Sequence, residues 1–63
     1  MKMTYEIHFT REGKITKCLP ETMRQDGEIY VSVFDGHIEI VADADDPHEA
    51  IEIAKERYKK VKK

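Results

Sequence analysis

Apolar and polar residues alternate at the start of the chain. Tyr5, Ile7 and Phe9 fall on one side, and Thr4, Glu6, His8 and Thr10 on the other. A period of two, rich in β-branched and aromatic residues, predicts a half-buried strand. Arg11-Glu12-Gly13 follows, then a second run from Lys14 to Leu19. A three-residue loop ending in glycine suits a type I turn with Gly13 in the left-handed conformation. That loop pairs Phe9 with Ile15 and Tyr5 with Leu19, so large apolar side chains share a face. A two-residue loop would pair Phe9 with Thr16 and mix the faces. The chosen register leaves Lys17 on the apolar side.

Pro20 to Gly27 reads as a connection, opened by Pro-Glu and closed by Asp26-Gly27. Within it, Glu21 to Gln25 is expected to form one helical turn with Met23 packed beneath. Two further runs, Glu28 to Phe34 and His37 to Ala42, flank Asp35-Gly36, a strong hairpin signal. A two-residue turn pairs Phe34 with His37, Val33 with Ile38, Val31 with Ile40 and Ile29 with Ala42. One face then holds Ile29, Val31, Val33, Ile38, Ile40 and Ala42. The other holds Tyr30, Ser32, Phe34, His37, Glu39 and Val41.

The period then changes. Asp46 is a good N-cap, Pro47 suits the first helical position, and Glu49 completes a capping box. Ala50, Ile51, Ala54, Tyr58 and Val61 recur at helical spacing as one apolar stripe, with Ile53 at its edge. Acidic residues crowd the helix start and basic residues its end, as the helix dipole prefers. Glu52–Lys55, Glu56–Lys59 and Glu56–Lys60 are spaced to pair on the surface.

These elements predict an α+β fold of order ββββα. An antiparallel, hairpin-rich sheet of about four strands carries one C-terminal helix packed on one face. Residues 1–63 are expected to form a single small domain. A chain this short buries only ~60% of its unfolded surface, so its core is thin and gains from added burial or a staple. Cys18 is the only cysteine, which excludes an internal disulfide and fits a reducing compartment. No apolar run reaches the ~20 residues needed to span a bilayer. The charged, alternating start does not resemble a signal peptide, so the expectation is a cytoplasmic protein without membrane contact.

Net charge sharpens the picture. The chain totals −2, but residues 1–54 hold five Lys/Arg and twelve Asp/Glu, a net of −7. Residues 55–63 hold six Lys/Arg and one Glu, a net of +5. An acidic body with a basic tail speaks to partners and solubility.

Catalytic chemistry finds little support. There is no glycine-rich phosphate loop. His48-Glu49-Ala50-Ile51-Glu52 starts like a zinc-protease motif but has Glu where the second His ligand belongs. Asp43-Ala44-Asp45-Asp46 starts like a calcium loop but lacks its sixth-position glycine and has Pro at the fifth. Capping explains these acids. Of the soft ligands His8, His37, His48 and Cys18, His8 and Cys18 are expected to share the outward face of the first hairpin. No ligand spacing supports a metal site, and Cys18 has no base nearby in sequence. No catalytic residue, cofactor or metal is expected.

Residues 46–56, Asp46-Pro47-His48-Glu49-Ala50-Ile51-Glu52-Ile53-Ala54-Lys55-Glu56, resemble the helix start of HicB-type antitoxins, where an Asp-x-x-Glu-Ala-x-x-x-Ala pattern follows a strand. The hairpin before it departs from that family, whose strands are joined by a longer Pro-containing link. The functional expectation therefore rests on surfaces. One helix covers one face and leaves Tyr30, Phe34, His37, Glu39 and Val41 outward as an interaction surface. The expected role is a small acidic protein-interaction module, an inhibitor or regulator of a basic partner by analogy with phage or mobile-element proteins. Its partner is expected to be another protein or a second copy. The alternative is a nucleic-acid-binding or antitoxin-like regulator using the basic helix end, which the acidic body disfavours.

Overall fold

A computed structural model describes residues 2–61. Four strands, β1 (Met3–Phe9), β2 (Ile15–Pro20), β3 (Ile29–Val31) and β4 (Ile38–Ala44), precede one helix, α1 (Pro47–Val61). The strands form one antiparallel sheet of order β2-β1-β4-β3. The two hairpins thus meet through their first and last strands. β1 and β4 pair over their whole length, from Met3↔Ala44 to Phe9↔Ile38, and both have neighbours on either side. The α+β class and the ββββα order agree with the sequence reading.

The first turn forms as its composition predicts. Thr10 N–H donates to Lys14 O at 2.8 Å, Gly13 N–H to Thr10 O at 2.9 Å, and Gly13 takes a φ of 90°. Beyond it the register changes. Phe9 pairs with Ile15, but a bulge between His8 and Phe9 shifts the rest, giving His8↔Lys17, Ile7↔Cys18 and Tyr5↔Pro20. One extra residue on β2 turns its later side chains over. Lys17 leaves the apolar face, Cys18 packs against the core, and Leu19 becomes exposed. The expected sharing of an outward face by His8 and Cys18 is therefore corrected. Burial pushes the Cys18 thiol up, so it stays protonated.

The second hairpin keeps its faces but not its predicted turn. Val31 pairs with Ile38 and Ile29 with Ile40, two residues away from the expected register. A shift of two preserves which side chains point inward. The loop holds four residues, 33–36, closed by Ser32 N–H to His37 O at 2.8 Å. A two-residue type I′ turn needs positive φ at both central residues, and only Gly36 supplies it, at 73°. The Asp35 carboxylate instead accepts the His37 N–H at 2.9 Å and closes a local turn. Val33 and Phe34 consequently leave the strand and stand 87% and 92% exposed.

The connection from β2 to β3 runs across the sheet face opposite the helix. It carries Thr22 onto Glu6 of β1 and Arg24 onto Glu39 of β4. Gly27 N–H then donates to Val41 O at 3.1 Å, and Val41 N–H to Glu28 O at 3.0 Å. No helical turn forms there, and Met23 is fully exposed rather than packed.

The core lies between the other face and the helix. It comprises Tyr5, Ile7, Phe9, Ile38, Ile40 and Ala44 of the sheet with Ala50 and Ala54 of the helix. Alanine at the contact lets the helix approach closely, and Tyr58 stacks on Phe9 with ring centroids 4.4 Å apart. Each fully buried large aliphatic such as Ile7 or Ile40 contributes about 1.5–3 kcal/mol. The helix starts as predicted: Asp46 Oδ1 accepts the Glu49 N–H at 2.8 Å. Glu49 reaches back to the Asp45 N–H, also at 2.8 Å, one residue before the cap. Glu52–Lys55 and Glu56–Lys59 pair on the surface. No helix among the described residues is long and apolar enough to cross a membrane.

Candidate functional site

The face opposite the helix carries a compact polar cluster. Glu6 and His8 alternate along β1; Glu39 lies directly opposite His8 on β4; His37 precedes Glu39 by two residues. Period two places all four on one side. His8 Nε2 lies 2.9 Å from Glu6 Oε1 and 3.9 Å from Glu39 Oε1. His37 Nε2 lies 3.1 Å from Glu39 Oε2. The two imidazoles stand edge to face, 5.1 Å apart and inclined at 74°.

The crossing connection completes the cluster from above. The Thr22 hydroxyl donates to Glu6 Oε2, and the Arg24 guanidinium pairs with Glu39 and lies 3.6 Å from Glu6. These contacts hold both carboxyls below their usual range. The Thr22 hydroxyl is the largest cause at Glu6, followed by His8, and Arg24 is the largest at Glu39. Arg24 is itself held charged by Glu39, and its guanidinium lies 4.1 Å above the Tyr30 ring. No buried side-chain nitrogen or oxygen among the described residues lacks a partner.

The five residues expected to form an outward interaction surface therefore have different fates. Val41 is fully buried, because the connection crosses the strip between Glu6 and Glu39 that flanks it. It is unavailable to a partner. Glu39 and His37 belong to the polar cluster. Tyr30 faces Glu39 rather than Val41, and its hydroxyl donates to Glu28. Phe34 is exposed, but on the turn rather than opposite His37.

The exposed apolar surface lies elsewhere. The helix rests on β4, β1 and β2 and does not reach β3. Ile29 and Val31, inward by register, therefore remain exposed, and Val33 and Phe34 continue the patch onto the turn. Sequence periodicity located the inward face but gave no measure of how far one helix extends across it.

A second polar junction was also invisible to local pattern. Arg57 donates to Asp26 Oδ1 at 2.9 Å and to Val41 O at 2.8 Å, and Asp26 Oδ1 also accepts the Asp43 N–H at 2.9 Å. Asp43 accepts the Thr4 hydroxyl at 2.6 Å, a cross-strand role. Of the basic helix end, Arg57 is thus engaged within the fold, while Lys62 and Lys63 lie outside the described residues. No protein-family model, no curated protein and no solved structure matches this chain.

Proposed function

We propose that this chain is a small, cytoplasmic, acidic protein-interaction module that works without catalysis, inhibiting or regulating a basic partner protein through the edge formed by β3 and its following turn. One observation carries the reading. Between Ile29 and Phe34, every residue but Ser32 is a large apolar or aromatic side chain left exposed. An exposed apolar patch on so small a domain favours a covering partner. β3 pairs only with β4, so its other backbone edge is open to an added extended segment. Glu28 and Asp35 flank this edge, and the body is strongly acidic. Charge complementarity therefore favours a basic segment over an acidic one. The same charge disfavours nucleic acid, and the engagement of Arg57 with Asp26 removes one cation from the alternative reading.

The test uses affinity capture from the source cells with the intact chain and with Val31→Asp and Phe34→Asp variants. Sedimentation of the isolated protein is measured alongside. Both positions are exposed, so both variants keep the wild-type circular dichroism spectrum. The expected result is a basic protein captured by the wild type and lost, by at least ~10-fold, from both variants. Equal capture by wild type and both variants, or a dimer undisturbed by either change, overturns the reading.

A further inference from the structure

We propose that His8, His37 and Glu39 form a three-ligand binding site for a divalent transition-metal ion of the zinc class, with water completing the shell. The donor atoms of His8, His37 and Glu39 all lie within 4.8 Å of one another. A tetrahedral zinc site with bonds of ~2.0–2.1 Å requires ligand-to-ligand separations of ~3.3 Å. Among these donors the separations are 3.1 Å for His37 Nε2 to Glu39 Oε2 and 3.9 Å for His8 Nε2 to Glu39 Oε1. Side-chain adjustments of up to about 1.5 Å bring donor atoms that lie within 4.8 Å of one another to that spacing.

Three further features favour an ion over a chance meeting of side chains. Two imidazole nitrogens and one carboxylate oxygen are a donor set suited to zinc, which takes nitrogen and oxygen ligands. His8 stands on β1 and Glu39 on β4, the two central strands, each paired on both edges, and His37 immediately precedes β4. The Glu39 carboxylate is already oriented from outside by Arg24. Such an outer contact is characteristic of working metal sites.

Arg24 is the obvious objection, since a cation beside a cation site is repulsive. Its contacts are with Glu39 Oε1 and, at 3.6 Å, Glu6 Oε1, whereas Glu39 Oε2 faces His37. Two carboxylates and one guanidinium leave the cluster with a net negative charge when the imidazoles are neutral, so a divalent ion is electrostatically favoured. A bound ion would tie β1 to β4 beside a thin core, the kind of staple that stabilises small domains.

The proposal rests on these three side chains and is independent of the partner reading. Its test is titration of the untagged, chelator-treated chain with zinc chloride alone, followed by calorimetry and thermal melting. The expected result is one ion per chain and a melting temperature that rises with zinc concentration. His37→Asn, at a half-exposed position, is expected to weaken binding at least ~10-fold while keeping the apo melting temperature within a few degrees. His48→Asn and Cys18→Ser are expected to bind as the wild type does. In nuclear magnetic resonance spectra, zinc is expected to shift the ring resonances of His8 and His37 but not those of His48. Absence of saturable binding overturns the proposal. So does binding that survives His37→Asn, or binding lost with His48→Asn or Cys18→Ser.

Discussion

Asp26 shows how much one side chain can organise in a thin fold. Its carboxylate joins the crossing connection to β4 through the Asp43 N–H and to the helix through Arg57. Arg57 is the chief cause, and the Asp43 N–H the second, of a carboxyl held below its ordinary value. A carboxyl depressed in the folded state adds stability above its unfolded value, and that stability is lost as pH falls through the folded value. Asp26→Asn is therefore expected to lower the melting temperature at neutral pH, with the gap to wild type closing as pH falls below ~4. The size is modest because Asp26 is 41% exposed and solvent screens the pair. Thermal melts between pH 7 and pH ~2.5 check it, and a gap that stays constant over that range refutes it. Thirty-one positions separate Asp26 from Arg57, so no local pattern announces this contact.

At the scale of elements, local chemistry was legible wherever one signal decided the outcome. The helix begins where Asp46, Pro47 and Glu49 place it, and Asp46→Ala is expected to cost about 1 kcal/mol. Chemical denaturation measures this directly, and no loss would mean that the cap contributes nothing beyond helix packing. The Gly13 turn was equally plain, because three residues with a terminal glycine fit one geometry well. Asp35-Gly36 was plain in place but not in type. Asp35 satisfies the His37 N–H by its side chain and so avoids the left-handed backbone that a two-residue turn requires. The β2 bulge and the path of residues 21–28 were not legible at all. Both depend on which strands sit side by side, and period-two patterning is silent on strand order. That silence hid the candidate site: His8 and Glu39 meet because β1 and β4 pair, although they are far apart in sequence.

Across the whole molecule, strand order and helix placement produce a gradient of stability. β1 and β4 are paired on both edges and covered by the helix on one face, with Val41 of β4 buried on the other. β3 is three residues long, paired on one edge and beyond the reach of the helix. Few buried apolar contacts and an open edge place β3 at the low end of local stability. Amide hydrogen exchange is expected to be slowest in β1 and β4, approaching the limit of global unfolding. It is expected to be fastest in Val33, Phe34 and the outward-facing amides of β3. Protection of β3 equal to that of β1 in the isolated chain would mean that the edge is already covered, as it would be in a stable dimer through that surface. The gradient also links the two proposals. The weakly held β3 edge can adapt to an incoming segment because the strands beneath it do not depend on it for their own pairing. The histidine–carboxylate cluster, anchored on β1 and β4 and overlain by Thr22 and Arg24, stays in place while the edge adjusts. A partner bound at β3 is therefore expected to slow exchange directly in β3 and the 33–36 turn, and to slow Ile7 and Ile40 only by the stability that binding adds against global unfolding. Slowing in β3 no greater than that global contribution would place the partner away from the β3 edge.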